Sequence, residues 1–287
     1  MKADIIWLGS TDSTNEEARR RISDIDNLSV LSALEQTAGR GQRGNKWSSA
    51  PGENLTFSII LKFRTDGIQE TAFLPAIKAY DQFMLTEIAS LSMIRFLHGQ
   101  GISARIKWPN DIYIGSKKIC GMLIENSLRG KHISSSIIGI GLNINQRNFD
   151  VNIPNPTSVV IESDCDSLDI RKCLDEFIKI FLSEAGRYLT HVSESEKELR
   201  YHELRQEYMS YLWRVNEEAW YIDFTSLSDG HLQSPMNIHL HKPQTDGRIF
   251  KGIIKGISPS GNILIDDIEK GELKEFAFKE IGYVITR

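Results

Sequence analysis

The sequence predicts an α+β fold, in which a mixed sheet packs with helices and a small all-β unit follows. Strand-like and helix-like segments alternate unevenly in the first part of the chain, and several strands follow one another directly. That order disfavours a doubly wound parallel sheet, which needs a helix between successive strands. After Leu212 the chain changes to short strands punctuated by Gly256, Gly261 and Gly271, which is typical of a small barrel or sandwich. Two domains are therefore expected, at 1–212 and 213–287.

The N-terminal elements are placed by their local signals. Residues 5–8 are short and apolar, which indicates an edge strand. A capping-box pattern follows, formed by Ser13 with Glu16 or by Thr14 with Glu17. This pattern predicts the start of a helix, because it satisfies the backbone N–H groups that a first helical turn leaves without partners.

The remaining elements follow from periodicity and from turn residues. In order, they are strands at 29–35 and 55–63, a helix at about 76–98, strands at 104–108, 118–126 and 133–145, and helices at 169–190 and 194–208. The C-terminal unit is expected to hold strands at 219–224, 236–241, 248–257, 261–267, 273–280 and 283–287. His239 and His241 share one face of a strand, and an exposed strand face explains them better than a metal site, because no third ligand is evident.

Composition excludes several classes of protein. The net charge is −4, so no global positive field attracts the chain to nucleic acid. Three cysteines argue against a disulfide framework and favour a reducing cytoplasm, with Cys120 in the core rather than acting as a nucleophile. No apolar run is long enough for a signal peptide or a membrane-spanning helix, so no membrane partner is expected.

Residues 39–49, GRGQRGNKWSS, form the most unusual stretch. Their glycines allow close backbone approach to a ligand, and Arg40, Arg43 and Lys46 supply positive charge, which suits an anion. A solvated surface loop is the alternative. The P-loop pattern fails because Asn45 stands where lysine is required. The G-x-G-x-x-G pattern matches, but no helix opens after it.

Three further stretches combine strand ends with polar residues. KWPND at 107–111 ends a strand in a turn, where Asn110 and Asp111 suit a metal, an amine or a phosphate, or simply an Asx turn. KICGMLIE at 118–125 begins with Lys118, a point charge for an anion or a solvated edge lysine. GIGLNIN at 139–145 is an apolar strand that ends in asparagines.

Together these stretches resemble the biotin protein ligase family, in its monofunctional type without an N-terminal DNA-binding domain. The matching motifs, in order, are DSTN at 12–15, QTAGRGQRGNKW at 36–47, KWPND at 107–111, KKICGMLIE at 117–125 and GIGLNIN at 139–145. The resemblance implies a class II synthetase-like catalytic domain that binds biotin and ATP at 1–212. It also implies a small SH3-like β-barrel at 213–287. Because the motifs begin within the first 15 residues, no repressor function is expected.

The resemblance also implies a two-step reaction. Biotin and ATP, with Mg²⁺, give biotinyl-5′-AMP, and the biotinyl group then passes to a lysine of a biotin carboxyl carrier protein domain of a carboxylase. The partner is therefore a carrier domain, without nucleic acid or membrane, and a homodimer stays open. A cationic cradle fits this chemistry, because the biotin carboxylate and the ATP phosphates repel one another.

Carried over by position, the resemblance implies three sets of residues. The biotin set is Ser13, Thr14, Asn15, Gln36, Gly39, Arg40, Gly41, Gln42, Lys118, Gly121 and Leu123. The ATP and adenylate set is Arg40, Arg43, Gly44, Lys46, Trp47, Asn110, Lys118 and Asn143. The catalytic set is Arg40, Lys107, Asp111 and Lys118, with Asp111 also expected to meet Mg²⁺. Trp47 and Trp108 suit an apolar wall or core packing as well as stacking.

The chain departs from the family at two loop positions. Many members read GRGRxGR, whereas Gln42 and Asn45 replace cations here. We expect Arg43 and Lys46 to compensate in part for this loss of charge. Three other functions are alternatives for such a sequence. They are a lipoate or octanoyl ligase or transferase of the same fold family, a biotin-sensing module without chemistry, and a nucleic-acid-binding protein. The GRGxxGxxW and KWPND motifs favour biotin over lipoate or octanoate. The intact charged residues argue against a module without chemistry, and the lack of an extended basic face argues against nucleic-acid binding.

Overall fold

The computed structural model describes residues 2–65, 73–225, 237–239 and 248–285, with the side chains of Arg43 and of residues 237–239 outside that description. The chain divides into two compact units, Met1–Tyr208 and Met209–Arg287. The domain limits and domain functions given above stay predictions. Within the described residues, no helix is long and apolar enough to span a membrane.

The first unit is built on one mixed sheet. Its strands are β1 (Asp4–Thr11), β2 (Ser29–Gln36), β3 (Leu55–Lys62), β4 (Ile77–Lys78), β5 (Arg105–Lys107), β6 (Asp111–Ile114), β7 (Lys117–Arg129) and β8 (His132–Leu142). They lie in the order β1-β2-β3-β8-β7-β6-β5, with β4 paired to β8. The β1–β2 pair is parallel, and the other named pairs in this sheet are antiparallel. The predicted α+β class and the edge position of the first strand are confirmed.

Helices cover both faces of this sheet. They are α1 (Thr14–Arg20), α2 (Phe83–Gly99), α3 (Val159–Glu162), α4 (Ile170–Tyr188) and α5 (Glu194–Ser210). On one face, the Phe57 ring of β3 meets the Phe177 ring of α4 at 5.4 Å, and Phe177 also meets Phe96 of α2. On the opposite face, Ala18 of α1 packs with a buried apolar group from β2, β3 and β8. The second face is the one that carries the polar motifs.

Two local predictions were wrong in detail. The helix predicted from about 76 begins only at Phe83, because the backbone of Ile77 and Lys78 pairs with β8 and forms β4. The helix after Ser13 does begin as predicted, but the Ser13 side chain makes no capping hydrogen bond. Asp12 accepts the Ser13 N–H instead, at 2.8 Å, and the Glu16 carboxylate contacts arginines. Ion pairing has replaced the capping box.

The second unit is a sheet of short strands. They are β9 (Glu218–Asp223), β10 (Asn237–His239), β11 (Ile249–Ile257), β12 (Ile263–Asp267), β13 (Glu272–Phe276) and β14 (Ile281–Ile285), in the order β10-β14-β9-β11-β12-β13. The β10–β14 pair is parallel and the other four are antiparallel. Stacked and tilted aromatic rings, including Tyr221, Phe250 and Tyr283, fill its interior. Closure into a barrel stays a prediction, and His241 lies outside the described residues.

Candidate active site

The centre of the candidate site is a trough of small side chains across β3, β8 and β7. Partners in an antiparallel register share one face of a sheet, so the pairs define two neighbouring rows. The first row is Ser58, Gly139 and Leu123, and the second is Thr56, Gly141 and Gly121. Because glycines leave the backbone uncovered, other groups can approach this part of the sheet closely. The trough lies on the α1 face.

A buried network of neutral polar groups stands over the first row. Asn15 is 2% exposed, and its Oδ1 accepts the Ser58 hydroxyl at 2.6 Å. The Asn15 amide nitrogen donates to the Leu123 carbonyl at 3.2 Å. A Cβ atom at Gly139 would lie 2.1 Å from Asn15 Oδ1, so the glycine is needed for this packing. Sequence analysis placed Asn15 and Leu123 in the site but missed Ser58 and Gly139.

The network continues to the end of β2. The Thr14 N–H donates to Gln36 Oε1 at 2.8 Å, and the Thr14 hydroxyl lies 3.2 Å from the same oxygen. Ser58 also lies 2.8 Å from the Thr14 hydroxyl. Ser13 is buried beside this group as the first residue before α1. Because Gln36 Oε1 is used as an acceptor, the side-chain NH2 of Gln36 remains on the side of Gly39, toward the glycine-rich loop.

The glycine-rich stretch forms an ordered, closed loop. Trp47 N–H donates to the Gly39 carbonyl at 3.0 Å, and Gly41 N–H donates to the Asn45 carbonyl at 2.7 Å. Between them, the backbones of Arg40 and Lys46 form an isolated antiparallel β-bridge. A 3-10 turn at Gln42–Gly44 closes the tip, and Gly44 has φ +78°, a conformation that favours glycine. A Cβ at Gly39 would lie 2.4 Å from the Trp47 carbonyl oxygen. The loop glycines thus serve its closure.

The Trp47 indole lies directly on the second row of the trough. A Cβ atom at Gly141 would fall 2.3 Å from Trp47 Cε2, and one at Gly121 would fall 3.1 Å from Trp47 Cζ3. The indole Nε1 is buried without a hydrogen-bond partner among the described residues. A buried donor without a partner is costly, so this atom is a candidate contact for a ligand. Of the two tryptophans weighed above, Trp47 forms a wall, and Trp108 is 1% exposed and packs in the core.

Lys118 and Asp111 form an ion pair at the same end of the trough. Lys118 Nζ lies 2.7 Å from Asp111 Oδ1 and 5.9 Å from the centroid of the Trp47 ring. A register shift between Ile112 and Tyr113 of β6 accompanies this arrangement, and the Lys118 ammonium would lie 3.1 Å from a Cβ at Gly121. The shift thus brings a lysine from β7 over the glycine face.

The backbone of Lys118 also fixes a neighbouring segment. Its N–H donates to the Asn155 carbonyl at 2.8 Å, and its carbonyl accepts from Thr157 N–H at 3.0 Å. The Asn143 side chain donates to the Thr157 carbonyl at 2.8 Å, whereas Asn143 Oδ1 is buried without a hydrogen-bond partner in the described part of the chain. Asn143 therefore has one oxygen available to a ligand beside the 155–157 segment.

Two residues of KWPND act largely within the fold. The Asn110 side chain donates to the Met122 carbonyl at 3.0 Å, which fixes the turn to β7. Lys107 is only 2% exposed, and its ammonium lies 5.6 Å from the Tyr113 ring centroid. Lys107 is also the register partner of Asp111, so both side chains lie on one face of the sheet. The structure thus brings the four motif residues Lys107, Asn110, Asp111 and Lys118 into one region.

Arg40 is held by carboxylates at the other end of the trough. Its guanidinium contacts Glu16 of α1 and lies 3.3 Å from Glu125 of β7. Arg19 pairs with the same two carboxylates, at 2.7 Å in each case, and Asn15 donates to Glu125 at 2.8 Å. Sequence analysis missed Glu16 and Glu125 as site residues, because an anion-binding motif gives no reason to expect acidic neighbours.

A second ion-pair group on α1 stands apart from Arg40. Arg20 pairs with Asp12 and Glu17, and Arg21 pairs with Glu17 at 2.6 Å. The hydrogen bonds from Arg20 hold the pKa of the Asp12 and Glu17 carboxyls below their usual values. This group offers a matched comparison for the Arg40 contacts, because it has the same residue types on the same helix.

Cys120 is a core residue, and the described residues form no preformed metal cage. Cys120 is fully buried, and burial raises the pKa of its thiol, which confirms the predicted core position. Among the residues that the structure describes, no group of three or more His, Cys, Asp or Glu side chains could hold a metal ion. Asp111 offers one carboxylate, already paired with Lys118.

Comparison with known sequences identifies related proteins. A model of the biotin/lipoate A/B protein ligase family matches residues 7–143. A biotin–[acetyl-CoA-carboxylase] ligase of Paracoccus denitrificans is 31% identical over 139 residues, which are 48% of this chain and 53% of the relative. A bifunctional ligase/repressor BirA of Bacillus spizizenii is 29% identical over 187 residues, 64% of this chain and 53% of the relative. The alignments thus span about half the length of these relatives.

Comparison with solved structures covers nearly the whole chain. A biotin protein ligase from Aquifex aeolicus, in complex with biotin and ATP, has a TM-score of 0.68 and 25% sequence identity, and the match covers 97% of both chains. The predicted resemblance to biotin protein ligases is confirmed by this match and by the sequence relatives. The chain thus resembles the biotin/lipoate A/B protein ligase family in sequence over residues 7–143, and it resembles a biotin protein ligase in fold over nearly its whole length.

Proposed function

We propose that the chain is an ATP-dependent biotin protein ligase. It forms biotinyl-5′-AMP from biotin and ATP, and it then transfers biotin to a specific lysine of a biotin carboxyl carrier protein domain. One observation carries the proposal: a glycine-floored trough has a neutral polar network at one end and a lysine–carboxylate pair at the other. The Aquifex aeolicus protein of the same fold binds both biotin and ATP.

The neutral network suits the ureido ring of biotin. A ureido group presents a carbonyl acceptor and two N–H donors, and it carries no charge. Thr14, Asn15 and Gln36 offer hydroxyl and amide groups in fixed positions, because Ser58 and backbone groups already orient them, and Ser13 is buried beside them. The apolar ring and chain would lie against the Trp47 indole, which itself covers the glycine floor of the trough.

The charged groups suit the acyl-phosphate chemistry. In the first step a biotin carboxylate oxygen attacks the α-phosphorus of ATP, and pyrophosphate leaves. Lys118 and Arg40 would neutralise the negative charge that collects on the carboxylate and the phosphate as they meet. The ion pair with Asp111 limits the movement of the Lys118 ammonium. Asn143 Oδ1 would accept from the nucleotide.

Magnesium enters the proposal as part of the substrate, Mg·ATP. Mg²⁺ in nucleotide sites typically takes one or two carboxylates and completes its shell with phosphates and water. Asp111 can supply one such oxygen, and the described residues around it do not form a cage of their own. The metal would reduce the repulsion between ATP and the incoming carboxylate.

The second step transfers the acyl group to an amine. The lysine amine of the carrier attacks the anhydride carbonyl, AMP leaves, and an amide forms. Until then the anhydride must be kept from water, which the Trp47 wall and the closed loop over the trough favour. The carrier domain of a biotin-dependent carboxylase is the proposed partner, in a reducing cytoplasm.

The test is a labelling experiment. The chain is incubated with Mg·ATP and labelled biotin, and labelled adenylate and labelled carrier are separated and counted. We expect both products. Labelled lipoate and octanoate run in parallel, because the matching family also includes lipoate ligases. Transfer from lipoate or octanoate but not from biotin would replace the proposal with that second activity, and no adenylate from any acid would refute both.

A further inference from the structure

Arg40 is surrounded by more negative charge than an anion-binding arginine requires. Its guanidinium contacts Glu16 and lies 3.3 Å from Glu125. A carboxylate paired with Arg40 competes directly with a phosphate for the same N–H groups. The three side chains are 39%, 29% and 24% exposed, so these pairs are partly solvated and can exchange at small cost.

Arg19 makes that exchange possible. It lies 2.7 Å from Glu16 and 2.7 Å from Glu125, so both acids keep a cationic partner when Arg40 leaves. Without Arg19, departure of Arg40 would leave two neighbouring carboxylates without a counter-charge, which is unfavourable. Arg19 and Arg40 therefore share one pair of acids, but Arg19 is the counter-charge that remains when Arg40 leaves.

We infer that Glu16 and Glu125 are a dock for Arg40 in the ligand-free protein, and that Arg40 leaves them for the anionic substrate while Arg19 stays behind. This inference rests on the proposed function, because it supplies the anion. Glu16, Glu125 and Arg19 are thus positioning residues: they set the free energy of moving Arg40, and they do not contact substrate. The anion they select for is one strong enough to displace carboxylates, namely a polyphosphate.

The inference predicts opposite effects for the acids and for Arg19. With inorganic pyrophosphate as the probe, titrated calorimetrically, Glu16→Gln should tighten binding about 3- to 5-fold, since exposed ion pairs are individually weak. Glu125→Gln should tighten it about 2-fold, because its contact with Arg40 is the longer one at 3.3 Å. Arg19→Gln should weaken it about 3-fold, because Arg40 then becomes the only counter-charge of both acids.

Matched controls separate docking from a general change of charge. Glu17→Gln and Arg20→Gln alter the same charges on the same helix, but their partners are one another, Asp12 and Arg21. They should change pyrophosphate affinity by less than about 1.5-fold. Each test substitution is also made in an Arg40→Ala background, where its effect should disappear, because only coupled residues deviate from additivity.

The outcomes are decisive in each direction. Effects that survive in the Arg40→Ala background, or that equal those of the controls, would overturn the inference in favour of a simple field effect. Absence of pyrophosphate binding by the unsubstituted chain would overturn it too. Failure of the proposed function is a separate result, seen as missing label transfer from biotin, because pyrophosphate binding needs neither biotin nor acyl chemistry.

Discussion

The neutral network and the ion pairs of the candidate site are opposite kinds of interaction. In the neutral network, the groups are buried and already hydrogen-bonded to one another, as in the contacts of Ser58 with Thr14 and Asn15. By contrast, the charged residues form ion pairs between partly exposed side chains: Arg40 pairs with Glu16, and Lys118 pairs with Asp111. The neutral groups are therefore preorganised, whereas the charged groups can exchange one ion-pair partner for another.

This difference fits the two kinds of chemical group that the proposed substrates carry. A neutral ring is recognised by polar atoms that are oriented before it arrives, because any reorganisation would cost part of a modest binding energy. A phosphate brings its own charge and can displace carboxylates from arginine and lysine. The comparison predicts that substitutions of the ion-paired residues change chemistry, and that substitutions in the neutral network change stability.

The largest effect is expected at Lys118. Lys118→Met removes the ammonium next to Trp47 and leaves Asp111 without this partner. We expect adenylate formation to slow by about 100- to 1,000-fold, the usual loss when one group that stabilises developing charge is removed. The measurement is the single-turnover rate with labelled biotin.

Lys117→Met is the matched control for that experiment. Lys117 is the preceding residue, and its ammonium pairs with Glu162 rather than with Asp111. Its rate should stay within about 2-fold of the original, as expected for loss of one exposed ion pair. Equal losses in both variants would show that the Lys118 effect is structural.

In the neutral network, Ser58→Ala should act on stability. The hydroxyl is fully buried, lies 2.8 Å from the Thr14 hydroxyl and donates to Asn15 Oδ1 at 2.6 Å, so its loss leaves that buried acceptor unsatisfied. We expect the free energy of unfolding to fall by about 1–3 kcal/mol, measured by urea denaturation. A loss of adenylation rate without any loss of stability would break the comparison.

Ser136→Ala provides the control for burial. Ser136 is also fully buried in the sheet, but its hydroxyl has no hydrogen-bond partner among the described residues. Its removal should leave the free energy of unfolding unchanged or raise it, because a buried hydroxyl without a partner is itself costly. Equal destabilisation by both substitutions would mean that the network around Ser58 adds nothing.

Local signals predicted the elements of the fold well. The helix after Ser13 and the strands β2, β3, β7 and β8 follow from periodicity and turn residues, which act over a few neighbours. The helix predicted from about 76 began too early, because pairing of Ile77 with Ile133 is a long-range contact that periodicity does not report. Replacement of the capping box by ion pairs has the same origin, since Arg40 approaches Glu16 from a distant loop.

The candidate site could be predicted only in part, because local sequence patterns do not report long-range contacts. Gly139 and Gly141 stand two residues apart, so they share one face of β8, and that spacing alone could have indicated a close approach to the sheet. Which groups approach them, Asn15 and Trp47, depends on the packing of α1 and of the loop. Glu125 is 85 residues from Arg40, so no local pattern links them.

The smallest effect is expected at Gln42, where many family members carry arginine. Gln42 begins the 3-10 turn at the tip of the closed loop, so an arginine there would extend from an ordered backbone. If the charged residues of the site work by exchangeable ion pairs, Gln42→Arg should slow release of the adenylate by about 2- to 5-fold, the worth of one exposed ion pair. The off-rate is measured by chasing labelled adenylate with excess unlabelled biotin and ATP, and Gln42→Met controls for side-chain size.

Because ionic strength screens exposed pairs, the difference between the two variants should shrink at about 1 M salt, where the screening length falls to about 3 Å. An equal off-rate for both variants at low salt would mean that Arg43 and Lys46 already compensate fully for the missing charge.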